Sequence, residues 1–68
     1  MCLLKVYVDN PKTGERKLIA DNVALIAIDG GNIRILNVEA EEKTLQNMRL
    51  TLIDALNSTV ILEHSRIV

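Results

Sequence analysis

Apolar and polar side chains alternate along most of this chain, the period of extended backbone rather than of a helix. In "CLLKVYV", Cys2, Leu4, Val6 and Val8 fall on one face of a predicted strand, and Leu3, Lys5 and Tyr7 on the other. "DNPKTGE" at 9–15 reads as a turn from its Asp, Asn, Pro and Gly. Residues 16–20 form a second predicted strand that stops at Asp21-Asn22. "VALIAI" at 23–28 is apolar on both faces, which predicts a separate, buried strand. "DGGN" at 29–32 is the strongest hairpin signal, because Gly30 and Gly31 can take positive φ without steric cost. "NIRILNV" is its return strand, with Ile33 and Ile35 on one face and Arg34 and Leu36 on the other.

The stretch 38–47 carries Glu39 and Lys43 at helical i,i+4 spacing but is too short for a stable lone helix. It predicts a loop through Ala40 and a short strand near 43–46. "RLTLIDAL" then alternates Leu50, Leu52 and Asp54 against Thr51, Ile53 and Ala55. Asn57-Ser58 turns the chain, and "TVILEH" returns with Val60 and Leu62 against Ile61 and Glu63. "SRIV" reads as a tail that frays unless Ile67 and Val68 pack on a partner. Short strands at close intervals with no helix predict one domain over 1–68, a small all-β barrel or sandwich.

Composition adds a second copy to this picture. At 68 residues, stability is marginal, and small chains are usually stapled by disulfides, a metal or oligomerisation. A single cysteine cannot close an internal disulfide. The hydrophobic fraction is 49% with no Phe or Trp, so Ile, Leu and Val build the core, and Tyr7 is the lone aromatic. That is more apolar surface than a lone small barrel hides, and it predicts a homodimer. A net charge of −1 supplies no basic field for a phosphate backbone, and no aromatic cluster offers a stacking platform, so nucleic acid is disfavoured. No apolar run approaches the ~18 residues of a membrane span, and "MCLLKVYV" lacks the features of a signal peptide. The expectation is a cytoplasmic protein with a reduced thiol. Asn57-Ser58-Thr59 matches a glycosylation acceptor but reads as a turn in that compartment.

The candidate chemistry is sparse. There is no Ser-His-Asp spacing, no phosphate cradle beyond the two-glycine turn, and no CxxC or HxxxH, so neither catalysis nor an internal tetrahedral zinc site is predicted. His64 reads as a solvated side chain and Met48 as core filler. Glu39, Glu41 and Glu42 read as a solvated acidic loop. A Cys2–His64 nucleophilic pair would require the two chain ends to be adjacent. Cys2 has two readings. It is a small hydrophobe on an apolar strand face. It is also the one position at which a terminal amine, a single amide nitrogen and a thiolate are consecutive donors, each neighbouring pair closing a small chelate ring. The α-amine has a pKa of about 8, so it can bind a metal near neutral pH. Nickel(II) and copper(II) accept square-planar, nitrogen-rich sites. Two such termini meeting on a two-fold axis would suit an isologous dimer. Removal of Met1 would leave an amine and a thiolate without the intervening amide.

"MCLLKVYV", "ADNVALIAIDGGNIRILNV", "EEKTL" and "LTLIDALNSTVILE" together resemble the CooT family of very small proteins that begin Met-Cys-Leu. The likeness runs from Met1 to about His64, and Met-Cys-Leu is its most specific piece. It implies a homodimeric, non-enzymatic nickel-binding protein with an SH3-like β-barrel, linked to Ni(II) delivery into carbon monoxide dehydrogenase. It also implies that Cys2, with the backbone of Met1, holds nickel at the dimer interface, and it assigns nothing to His64. The family has also been labelled predicted RNA-binding, which the mild acidity and near absence of aromatics oppose. The alternative reading is a small β-barrel RNA-binding or structural interaction module in which Cys2 is merely buried. The loop "DNPKTGERK" looks long for the family and, as a hairpin, should lie remote from Cys2.

Overall fold

A computed structural model describes residues 3–64. Six strands, β1 (Leu4–Asp9), β2 (Arg16–Asp29), β3 (Asn32–Asn37), β4 (Glu42–Leu45), β5 (Met48–Asp54) and β6 (Thr59–His64), form one sheet. Its order is β4-β3-β2-β1-β6-β5, and there is no helix among the described residues. Neighbours are antiparallel except β1 and β6, which run parallel with Lys5 opposite Thr59 and Asp9 opposite Glu63. The sheet rolls but does not close. The N–H of Met48 at the start of β5 donates to the carbonyl of Gly31 (2.9 Å), tying β5 to the β2–β3 hairpin without a ladder between the edge strands β4 and β5.

The concave face holds the core. Val6, Val23, Ile33, Ile35, Met48, Val60 and Leu62 form one buried cluster, with Leu4, Val8, Ile19, Ala20, Ile26, Leu45 and Leu50 packed around it. The alternations predicted for β1 and β3 are those observed, and Met48 is the core filler expected. In β6 Val60 and Leu62 join the core cluster, and Ile61 on the other face is buried as well. With about 25 cal/mol gained per Å² of apolar surface removed from water, these aliphatic side chains are the main favourable contribution to folding.

Three expectations need correction. The predicted strands 16–20 and 23–28 are one strand, β2. Asn22 adopts φ 51° and the pairing shifts register near it, so Asp21-Asn22 bends the strand instead of ending it. Asparagine tolerates this left-handed backbone better than most residues do. Next, "VALIAI" is not buried on both faces. Val23 is buried, while Leu25 and Ile28 are 46% and 56% exposed. Leu25 lies on the convex side, opposite Leu36, whereas Ile28, opposite the buried Ile33, lies on the core face near its end, beyond the side chains that cover Ile33. Last, the alternation in β5 breaks. A bulge lies between Leu50, opposite Leu62, and Leu52, opposite Ile61, so Leu50 faces the core and Leu52 the convex side.

The β2–β3 hairpin closes through two residues, with Asp29 opposite Asn32. Gly30 alone takes positive φ (62°), and a Cβ at either glycine would meet nothing within 4 Å. Backbone conformation is therefore the only difference between the two sites. Gly30→Ala is expected to cost about 1 kcal/mol in urea unfolding, from the left-handed penalty of an L-residue, and Gly31→Ala distinctly less.

Candidate metal centre

The ladder fixes the start of β1 on both sides. Leu4 lies opposite Val23 on β2, and the N–H of Lys5 donates to the carbonyl of Ser58 (2.9 Å) in the β5–β6 turn. That turn is firmly built. The backbone N–H and side-chain amide of Asn57 both donate to the Asp54 carboxylate, at 3.2 and 2.8 Å. The hydroxyl of Thr59 donates to the Asn57 carbonyl (3.0 Å), and Ser58 adopts φ 52°. Met1 and Cys2, the residues predicted to hold a metal, lie outside the described residues, as does the tail from Ser65 to Val68. What the structure supplies is the surroundings of the start of β1: the Val23 region of β2 on one side and the β5–β6 turn on the other.

The other candidates fall elsewhere. His64 ends β6, five residues beyond Thr59, so it stands roughly 17 Å from the level of Lys5 at ~3.3 Å per residue. Parallel β1 and β6 put the start of the first strand and the end of the last at opposite ends of the sheet, which opposes a nucleophilic pair between them. His64 is exposed at the rim of an open groove floored by Val8, Ile19, Leu45 and Met48. The loop 10–15 lies at this same far end, remote from the β1 start as expected. Glu39, Glu41 and Glu42 are exposed. Asn37 organises their loop: its side-chain Oδ1 accepts from the backbone N–H groups of Glu39 and Glu41 (2.9 and 3.0 Å), and its side-chain Nδ2 donates to the Glu41 carboxylate (2.8 Å). Among the described residues no three His, Cys, Asp or Glu side chains gather into a cluster that could hold a metal ion.

The convex face presents a row of four charges across four strands, Arg16–Asp9–Glu63–Arg49. Arg16 donates twice to Asp9 (2.7 and 3.1 Å), and Arg49 donates to Glu63 (2.9 Å). The bonds from Arg16 hold the Asp9 carboxyl below its ordinary 3.8. The side-chain and then the backbone bonds from Asn57 do the same for Asp54. A carboxyl whose pKa is depressed by folding stabilises the fold above its unfolded pKa, and that contribution is lost as pH falls through the folded value. The acid limb of stability is therefore expected to lie below about pH 4. Asp9→Asn and Asp54→Asn should each flatten it in thermal melts taken between pH 5 and 2. An unchanged slope in both variants would contradict the assignment.

Asp54 and Leu56 are the features sequence reasoning missed. "IDALNS" carried the signal, an Asp three residues before an Asn at a turn. No residue pattern showed that Leu56 would stand 93% exposed on that turn.

The sequence model for "CO dehydrogenase accessory protein CooT" matches residues 1–63 of the 68. The chain belongs to the CooT family. No curated protein matches it. The match to this accessory-protein family spans the whole sheet up to Glu63 and leaves out His64 and the tail. It includes Met1 and Cys2, so the unusual thiol lies within the CooT unit. No helix among the described residues is long and apolar enough to cross a membrane.

Proposed function

We propose that this CooT chain is a cytoplasmic, non-enzymatic metallochaperone that carries nickel(II) to carbon monoxide dehydrogenase or its maturation factors. Nickel is its cargo, held at a homodimer interface between two Met1–Cys2 segments. The observation that carries the reading is the family match from residue 1, with the sole cysteine at position 2. Chemistry supports it: amine, amide nitrogen and thiolate are consecutive donors, and nickel(II) favours such a nitrogen- and sulfur-containing set over the oxygen sets that suit magnesium. Two copies double the donors and let one ion be shared across the axis. The SH3-like barrel belongs to the same reading, with the six-stranded sheet as its body.

Binding and release would both follow from such a site. Deprotonation of the thiol and amine accompanies binding, so affinity falls as pH falls. Titration of nickel into the wild type and into Cys2→Ser tests the reading. One ion per dimer with ultraviolet thiolate-to-nickel bands is expected for the wild type, and loss of both in the variant. Unchanged stoichiometry and bands in Cys2→Ser would sink it.

A further inference from the structure

The core face of the sheet ends in polar side chains where its strands run out. Lys17 lies opposite Val8, and His64 opposite Met48. Directly opposed residues of an antiparallel pair share a face, so both stand on the core side, and both are exposed. Glu15 continues the line two residues before Lys17; its carbonyl accepts from the Asn10 N–H (2.8 Å), one step beyond the Asp9–Arg16 pair. These three side chains rim the open mouth of the rolled sheet, a cavity of about 340 Å³ floored by Val8, Ile19, Leu45 and Met48. Sites for small molecules run from about 300 to 1,000 Å³, favour barrel mouths, and combine an apolar lining with a few polar groups.

The charges on this rim are uncommitted. Arg16, Arg34 and Arg49 each hold an acid, at 2.7, 3.3 and 2.9 Å. Among the described residues Lys17 and Glu15 have no such partner. Two residues apart in extended chain, they offer an ammonium and a carboxylate roughly 7 Å apart, at ~3.3 Å per residue. An aliphatic carboxylate on the floor would bring its charge beside that of Glu15, and an aliphatic amine would bring its own beside that of Lys17. A molecule with both charges on one carbon and an aliphatic body answers the rim and the floor together.

We propose that the mouth binds a free aliphatic α-amino acid of the size of leucine or methionine. Its ammonium meets Glu15, its carboxylate meets Lys17, and its side chain lies on the Leu45–Met48 side of the floor. His64 closes the rim from β6 and supplies a further hydrogen-bonding group. The mouth lies at the end of β1 away from its start and includes no residue of the nickel reading, so the two stand or fall separately.

Titration of L-leucine into the metal-free full chain, followed by backbone amide NMR, tests this. Saturable shifts are expected around Val8, Lys17, Leu45 and Met48. Isocaproate, which lacks the ammonium, and isoamylamine, which lacks the carboxylate, should each bind about tenfold more weakly, as expected for one lost hydrogen bond to a charged group. Glu15→Gln should abolish the preference for leucine over isocaproate, and Lys17→Gln the preference over isoamylamine. Arg34→Gln, at a residue paired with Glu42 outside the mouth, should alter neither. Absence of saturable shifts with leucine, shifts confined to another part of the sheet, or equal binding of the three probes to the wild type overturns the proposal. Leucine binding that emerges only after removal of residues 65–68 overturns it too, by making the chain's own tail the occupant.

Discussion

Moving the thiol by one residue is expected to change the nickel stoichiometry more than any substitution elsewhere in the chain. In the exchange Cys2→Leu with Leu3→Cys, composition is unaltered and the thiol remains near the terminus. A second amide nitrogen now lies between amine and thiol, so one terminus carries four consecutive donors and can fill a square-planar nickel site without a partner. One ion per chain is then expected in place of one per dimer. Losing a supporting hydrogen bond to a metal ligand costs roughly 10–100-fold in affinity, so losing the amine itself as a donor, by acetylation of the wild-type chain with Cys2 intact, should weaken binding by more than that. Nickel titration followed by ultraviolet absorbance reads both, with circular dichroism as the check on folding. Wild-type stoichiometry in the exchange together with wild-type affinity after acetylation would mean that the thiol acts alone and that its position beside the amine is immaterial.

A single core truncation is expected to remove much of the stability. Leu62 is 0% exposed, opposite Val8 on one neighbouring strand and Leu50 on the other. It joins the two halves of the core across the parallel and antiparallel ladders of β6. Leu62→Ala should cost about 2–5 kcal/mol through lost burial and the cavity left behind. A chain of this length has about 3–10 kcal/mol in total, at roughly 0.05–0.15 per residue. Urea unfolding should therefore show a large drop in midpoint, or a chain already partly unfolded in water. Leu56→Ala makes the same chemical change at 93% exposure and should leave stability almost untouched. Equal midpoint losses at the two sites would contradict the assignment of core and surface.

Much of this was legible in the residues. Strand periodicity located β1, β3 and β6 and the face each turns to the core cluster, because successive side chains of a strand point to opposite sides. Turn residues marked the connections at 9–15, 29–32 and 57–58, but the β4–β5 connection at Gln46-Asn47 carried no turn reading. Asp21-Asn22 reads as a terminator and is a bend within β2. Local sequence cannot separate the two, since a bulge and a turn call on the same left-handed conformers. The face assignment in β5 failed for a related reason. One extra residue near Thr51 moves Leu52 to the other side, and nothing in "RLTLID" marks where the slip falls.

The sequence by itself determined the class of the fold, the aliphatic core, the family and the chemistry available at Cys2, since each depends on residue identity or on short-range order along the chain. Only the tertiary structure decided that β1 and β6 pair in parallel. That pairing is a contact between strands some fifty residues apart, and it separates His64 from the beginning of the sheet. It also decided that Ile53 and Leu56 stand uncovered beside the start of β1. Exposure depends on what the rest of the chain can reach, and among the described residues none covers these two side chains.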